Sequence, residues 1–312
     1  MKTFCLLLSS LLALSVSPCF AQVLTPVQTT TIGYVEGPIR EITYNPDGTA
    51  RMLVQNVTVH VPADLLAESP TTHLTVRQLC MRNRLPGRTE PGFVGGTALI
   101  NGLVDLQTHR FTATNVTVEP AENVAIGVVT SVSPLAIQGT NLAMLTDPRI
   151  TTEVINTFGF PVRAENLQIG QPAAGEGYFA DNKLHCYVIS LEPTAPLVQD
   201  VNQLNVLRAQ SRERAPNNNR GDEVDVRGFY YTSNGAQPLI QVFRDDNGVL
   251  TSLGFATLVQ DGVYPKYGVW NFQAVTPPTT HPILGTAPTK IRAVLTGTNR
   301  ITATTEVEPD LR

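Results

Sequence analysis

Lysine is almost missing from this 312-residue chain, which carries it only at Lys2, Lys183, Lys266 and Lys290. With a net charge of −4, no dominant basic field exists to hold nucleic acid or an anionic membrane. Aromatic residues make up 6% and charged residues 15%, with a single tryptophan. The five histidines, His60, His73, His109, His185 and His281, are at least 13 residues apart. No His-x-x-x-His or Cys-x-x-Cys pair seeds a zinc site. The chain also lacks a Gly-x-Ser-x-Gly elbow, a P-loop and a dinucleotide-binding glycine fingerprint. No cofactor and no metal are therefore expected, and no enzyme activity.

Long apolar runs are confined to the start. Lys2 precedes an apolar stretch from Phe4 to Val16, interrupted by Ser9, Ser10 and Ser15, then Pro18 and Cys19-Phe20-Ala21. A charged start, a short apolar core and a small-x-small end read as a secretory signal peptide over 1–21. The run is shorter than the ~20 residues that span a bilayer. The mature protein is expected to be exported, to the periplasm, the cell surface or outside, and not to be an integral membrane protein. Cys5 and Cys19 fall within the leader, which leaves Cys80 and Cys186. In an oxidising compartment these form either one disulfide or two separate thiols.

Threonine, at 37 residues, and valine, at 33, are abundant, and both are β-branched. Short alternating runs follow one another, separated by turn residues. Asn45-Pro46-Asp47-Gly48 is a turn, since Pro presets one dihedral and Gly supplies a positive one. Gln55 to Val61 alternates, with Val57, Val59 and Val61 on one face and Asn56, Thr58 and His60 on the other. From Arg110 to Glu119, Val116 and Val118 point inward and Asn115 and Thr117 outward. Helical periodicity is nearly absent; only Ala63–Glu68 and Pro196–Arg208 leave room for a few turns.

The chain contains an internal repeat. One copy runs from Gly95 to Gly102, through Asp105, to Val116-Thr117-Val118-Glu119-Pro120. The other runs from Gly170 to Gly177, through Asp181-Asn182, to Ile189-Ser190-Leu191-Glu192-Pro193. Val116 thus matches Ile189 and Val118 matches Leu191, all inward. A strand opening on glycine precedes each copy, Gly33-Tyr34-Val35 for the first and Gly127-Val128-Val129 for the second. The text from Leu167 through Gly170 and Gly177-Tyr178-Phe179 to Glu192 resembles the exported bacterial β-domains of unknown function called DUF5666. That resemblance covers 122–193 well and 32–121 more loosely, with 62–94 as an insertion. It implies an OB-like unit, a small five-stranded barrel or sandwich, in a bacterial exported protein, and carries no active residues.

After Pro193-Thr194-Ala195-Pro196, a short stiff linker, the region 197–309 holds about seven strands, the count of a β-sandwich. A first strand is expected at Leu204–Ala209. The order of its motifs, from Leu253-Gly254 through Trp270 and Lys290-Ile291 to Ile301, resembles bacterial immunoglobulin-like domains. Trp270 and Phe272 share a face and are the expected core anchors. The fold class is thus all-β: two OB-like repeats, 32–121 and 122–193, and an immunoglobulin-like sandwich.

Several clusters have plain structural readings. Asp245-Asp246-Asn247-Gly248 reads as a hairpin turn rather than a calcium loop. The acidic patch Asp222, Glu223 and Asp225 reads as surface, and Arg220-Gly221-Asp222 as a coincidental tripeptide. Arg77, Arg82, Arg84 and Arg88, with no aromatic among them, read as a solvated loop rather than a strand-binding groove. Asn56 and Asn115 open glycosylation sequons on strands. The expected function is a non-catalytic structural or protein-binding module of the bacterial envelope, associating with itself or a protein partner through β-edges. A carbohydrate- or small-molecule-binding protein is the alternative, and a hydrolase with dispersed carboxylates the third reading. Cleavage after Ala21 predicts a mature N-terminus at Gln22 on sequencing of exported protein. A start at Cys19 with a lipid mass would place the protein on a membrane instead.

Overall fold

The computed structural model describes residues 29–212, 223–275, 288–296 and 301–309, so the leader lies outside them. The chain is all-β. The first unit contains β1 (Thr30–Tyr44), β2 (Ala50–Val54), β3 (Val57–Val61), β4 (Leu66–Glu68) and β5 (His73–Thr75). The helical turn α1 (Val76–Leu79) follows, then β6 (Thr97–Asp105) and β7 (Phe111–Glu119). β1 serves two neighbours, pairing with β6 through its first half and β2 through its second. A bulge at Arg40, between Ile39 and Glu41, bends it between them. A parallel β3–β7 pair then closes β1-β2-β3-β7-β6 into a five-stranded barrel. That is the OB arrangement.

The second unit repeats it with β8 (Asn123–Val132), β9 (Leu135–Ile137), β10 (Thr140–Met144), β11 (Thr146–Asp147), β12 (Ile150–Thr151), β13 (Glu153–Asn156), β14 (Pro172–Ala180) and β15 (Lys183–Leu191). Here β10 and β15 form the parallel closing pair. The two units share their irregularities. The bulge between Ile39 and Glu41 recurs between Val129 and Ser131. The one at Asn101/Gly102 recurs at Glu176/Gly177. At both glycines a Cβ would collide with the carbonyl oxygen of the facing strand, Thr112 or His185, so neither position accepts a side chain. Ile39 exchanges backbone hydrogen bonds with Gly95 and Gly96, and Val129 does so with Gly170 and Gln171.

These pairings correct the sequence alignment of the strand ahead of each repeat. Gly33 faces Gly102, whereas Gly127 faces Ala173, the counterpart of Ala98, which is the partner of Gly37. Gly127 therefore corresponds to Gly37, not Gly33. The side chains of Gln55 and Gln138 lie over these two glycines, each from a positive-φ residue in the next hairpin turn. Gln55 and Asn56 belong to that turn, so the strand begins at Val57, which is exposed, and the Asn56 sequon sits on a turn. Asn115 is exposed on β7. Ala63–Glu68 holds no helix; its end is β4, which runs parallel to β7 at Thr117. The one α-helical turn starts at Thr75, whose hydroxyl and Gln78 form a capping box.

The third unit is a sandwich. One sheet is ordered β21 (Thr257–Gln260), β22 (Tyr267–Val275), β18 (Glu223–Tyr231), β17 (Arg208–Arg212) and β25 (Glu308–Pro309), with β16 (Gln203–Leu204) also on β18. The other is β20 (Val249–Phe255), β19 (Leu239–Asp246), β23 (Lys290–Thr296) and β24 (Ile301–Glu306). This is the immunoglobulin-like partition, with a parallel β17–β25 contact between first and last strands. Trp270 and Phe272 of β22 pack with Val224 and Val226 against Ile240, Val242, Ile291 and Leu295. The expected first strand, Leu204–Ala209, is split into β16 and β17, because Asn205 turns its side chain to the neighbouring backbone. Pro196–Arg208 holds no helix.

Val116, Val118, Ile189 and Leu191 are fully buried, the first pair in one barrel and the second in the other. Asp in place of Val116 would bury an unpaired carboxylate and is expected to cost ~4 kcal/mol or more. Asn115→Asp, one residue away on the exposed face, is expected to be nearly neutral. Chemical denaturation of the two variants checks this; equal stability would mean the strand register is wrong.

Candidate functional site

Two buried polar side chains, Arg149 and Asn156, sit at the junctions between the units. Between the barrels, the insertion 62–94 brings Leu74, Val76, Leu79, Leu85 and Phe93 into one cluster with Leu145, Ile150, Tyr178 and Tyr187 of the second unit. Arg149 is 1% exposed within it. Its guanidinium meets Asp147 through two bonds, at 2.9 and 2.7 Å, and donates a third to the Met81 carbonyl at 3.2 Å. Paired in this way, the buried cation is tolerated. Its hydrogen bonds hold the Asp147 carboxyl below the usual carboxylate range. The Tyr178 hydroxyl donates to the Pro86 carbonyl at 2.8 Å. Arg88 is not solvated, as its run of arginines implied: it lies 6.0 Å over the Tyr178 ring and donates to the Val94 carbonyl at 2.8 Å.

Cys80 and Cys186 are both free thiols, the second of the two arrangements the sequence allowed and not the possible disulfide. Cys186 lies inside the second barrel's core, whereas Cys80 packs against the cluster shared by the barrels. Burial pushes their thiols up, to about 12 for Cys186 and about 11 for Cys80. Such thiols are poor nucleophiles near neutral pH.

At the second junction, Asn156 is buried. Its carbonyl accepts the backbone N–H groups of Phe158 and Phe160, both at 3.0 Å, and its amide donates to the Tyr267 hydroxyl at 3.2 Å. Asn205 of the sandwich donates to the Phe158 carbonyl at 2.8 Å and accepts from the N–H of Phe229. The Phe158 ring stacks on Tyr267, 4.7 Å between centroids, and meets Phe229 edge-on at 5.4 Å. Trp270 donates its indole N–H to the Asn205 carbonyl at 3.0 Å.

A groove of about 300 Å³ opens on the β2–β3 face of the first barrel, between the β1–β2 turn and the β6–β7 hairpin. Barrels of this type take their oligonucleotide and oligosaccharide ligands on that face. Arg51, His60, His109 and Arg110 line it, with Asn45 and Thr58 as further polar groups and Val59 and Phe111 as the apolar part. Sequence reading placed no weight on these histidines, which are 49 residues apart; barrel closure brings His60 beside the hairpin that carries His109. Arg51 pairs with Glu41 at 2.7 Å. Arg110 makes no ion pair among the described residues. Burial first, and then the Arg110 charge, lowers the His60 pKa, while Asp47 partly counteracts them.

The remaining histidines are dispersed. His73 sits 3.9 Å from Glu68, His185 is buried with its ring stacked on Tyr178, and His281 lies outside the described residues. Among the described residues no group of three His, Cys, Asp or Glu side chains is placed to hold a metal. Asn247 and Gly248 have positive φ and form the turn between β19 and β20. Asp245 there is engaged by the Gly248 N–H at 2.7 Å and Arg292 at 2.5 Å, both of which stabilise its charged form. Glu223 pairs with Arg212 and Asp225 with Arg227; Asp222 and the Arg-Gly-Asp tripeptide lie outside the described residues. No described helix is long and apolar enough to cross a membrane. No protein-family model matches the chain, and no curated protein matches it.

Proposed function

We propose that the protein is an exported, non-catalytic structural and binding module of the bacterial envelope or cell surface. It contacts a protein partner or a second copy through the outer edge of β20. The observation that carries this reading is the chemistry of that edge. Its seven residues, Val249 to Phe255, include no charge and no proline, and Val249 and Phe255 are 69% and 57% exposed. Among the described strands only β19 pairs with it, so its far side presents unpaired N–H and C=O groups of the kind that recruit a further strand. The barrels, by contrast, close on themselves. The buried junctions support the structural half of the reading, since they fix the edge relative to the barrels.

The groove on the first barrel favours a second reading, a carbohydrate- or small-molecule-binding protein. Both properties fit in one molecule, because the groove and the edge belong to different units. Export rests on the leader-like residues 1–21, and the bacterial setting on the resemblance to DUF5666 domains.

Thr251 is exposed in the middle of the edge. Thr251→Lys is expected to leave stability within about 0.5 kcal/mol and to abolish association by placing a charge on the pairing strand. Light scattering across concentration, with co-purification from the native envelope, checks this. A wild-type protein that stays monomeric and brings down no envelope protein would contradict the reading.

A further inference from the structure

The two barrels are internal controls for each other. Positions that the fold requires are shared: Gly102 with Gly177, Gly37 with Gly127, Gln55 with Gln138, and both bulges. The same pairings map the groove onto the second barrel. Arg51 faces Thr43 across β1–β2 and His60 across β2–β3, which places Pro134 at the position of Arg51 and Ala143 at that of His60. Val59 and Phe111 correspond to Leu142 and Leu184, so the apolar floor is kept. His109 sits in the hairpin that the first copy has longer by two residues, and Arg110 corresponds to Lys183. The scaffold, the floor and one cation, Arg110 or Lys183, are common to both units; the rest of the basic wall, Arg51, His60 and His109, belongs to the first alone. Folding an OB-like barrel therefore does not account for that wall.

The wall gathers Arg51, Arg110 and His60 beside the acids Glu41 and Asp47, and among the described residues only Arg51 of the two arginines is ion-paired. Arg110 and His60 are close enough for the arginine to oppose protonation of the imidazole, and Arg51 is shared only with a half-exposed Glu41. An anion seated between them removes that opposition and accepts charge-assisted hydrogen bonds. The rest of the lining narrows the ligand. Asn45 and Thr58 offer hydrogen bonds suited to hydroxyls, while Val59 and Phe111, 0% and 6% exposed, close the groove from the core side. Phe111 is 6% exposed, so its ring is not a platform on which a nucleobase stacks. The volume sits at the small end of ligand pockets.

We propose that this groove binds an acidic saccharide, one or two sugar units bearing a carboxylate or sulfate that is gripped by Arg51, His60 and Arg110. This deepens the carbohydrate-binding reading of the groove and rests on it; it does not depend on the edge-mediated association, because Thr251→Lys leaves the groove intact. Binding strengthens as pH falls through the His60 pKa, since the bound anion favours the protonated imidazole. Asp47 assists that protonation, and Arg110 opposes it in the free protein. Arg51 and His109 are the other ionisable groups lining the groove.

Titration calorimetry of the full mature chain with trigalacturonate, a sulfated disaccharide, maltotriose and oligothymidylate tests the proposal, with NMR of the His60 ring as a second readout. At least one of the two acidic saccharides is expected to bind and to shift the His60 resonances, and the pair separates carboxylate from sulfate recognition. Arg110→Gln and His60→Gln, both on the surface of the groove, are each expected to weaken it about tenfold. Lys183→Gln in the second barrel is expected to change nothing. Failure of both acidic saccharides to bind, equal binding of neutral maltotriose, tighter binding of oligothymidylate, or insensitivity to Arg110→Gln would each overturn it.

Discussion

The relation between the second barrel and the sandwich depends on one short turn, residues 157–160, whose backbone is held by two asparagines from opposite sides. Asn156 takes the N–H groups of Phe158 and Phe160, and Asn205 supplies a donor to the Phe158 carbonyl. Buried peptide groups left unpaired would each cost about 1–3 kcal/mol, so the two carboxamides make the turn possible in an apolar setting. Once the turn is fixed, the Phe158 ring has one place to go, between Tyr267 and Phe229. Asn205 also accepts from Trp270, so the sandwich core and the junction share a residue. The Tyr267 hydroxyl, bonded to Asn156, closes the loop of contacts.

The first junction solves a similar problem with a charge. Arg149 is buried at this interface, and its two bonds to Asp147 and its bond to the Met81 carbonyl make its burial tolerable. The insertion that carries Met81 is the part of the first barrel with no counterpart pattern in the sequence. Its hydrophobic residues extend the first barrel's core until it meets Leu145, Ile150, Tyr178 and Tyr187 of the second. The closed barrels are alike, while the insertion and the groove residues Arg51, His60 and His109 distinguish the first.

What the sequence made legible were local regularities. Alternating valines located β3 and β7, and the paired Gly-to-Gly and Glu-Pro spacings exposed the repeat that the barrels share. Asp245 to Gly248 declared its hairpin through turn chemistry alone. The alignment of Gly33 with Gly127 failed because register there is set by cross-strand pairing and by the glutamines over Gly37 and Gly127, not by the glycine pattern. Cys80 and Cys186 could have been a pair or two thiols, since sequence does not measure their separation; Cys186 is buried in the second barrel's core, and half-buried Cys80 packs against the cluster the barrels share. His60 and His109 come to line one groove through the parallel β3–β7 closure, a long-range pairing with no local signature. Asn156 and Asn205 read as ordinary polar residues, since a carboxamide that saturates a buried turn looks no different in sequence from one facing water.

The central claim is that the second barrel and the sandwich form one body, locked at this turn. Native-state hydrogen exchange at the amides of Phe158 and Phe160 tests it most directly, because both are bonded to Asn156 and neither belongs to a strand. If the account holds, these two amides are protected to the same level as the amides of β22 around Trp270 and exchange only on global unfolding. Exchange at the rate of an open loop, with β22 still protected, would show that the junction opens independently and would contradict the account.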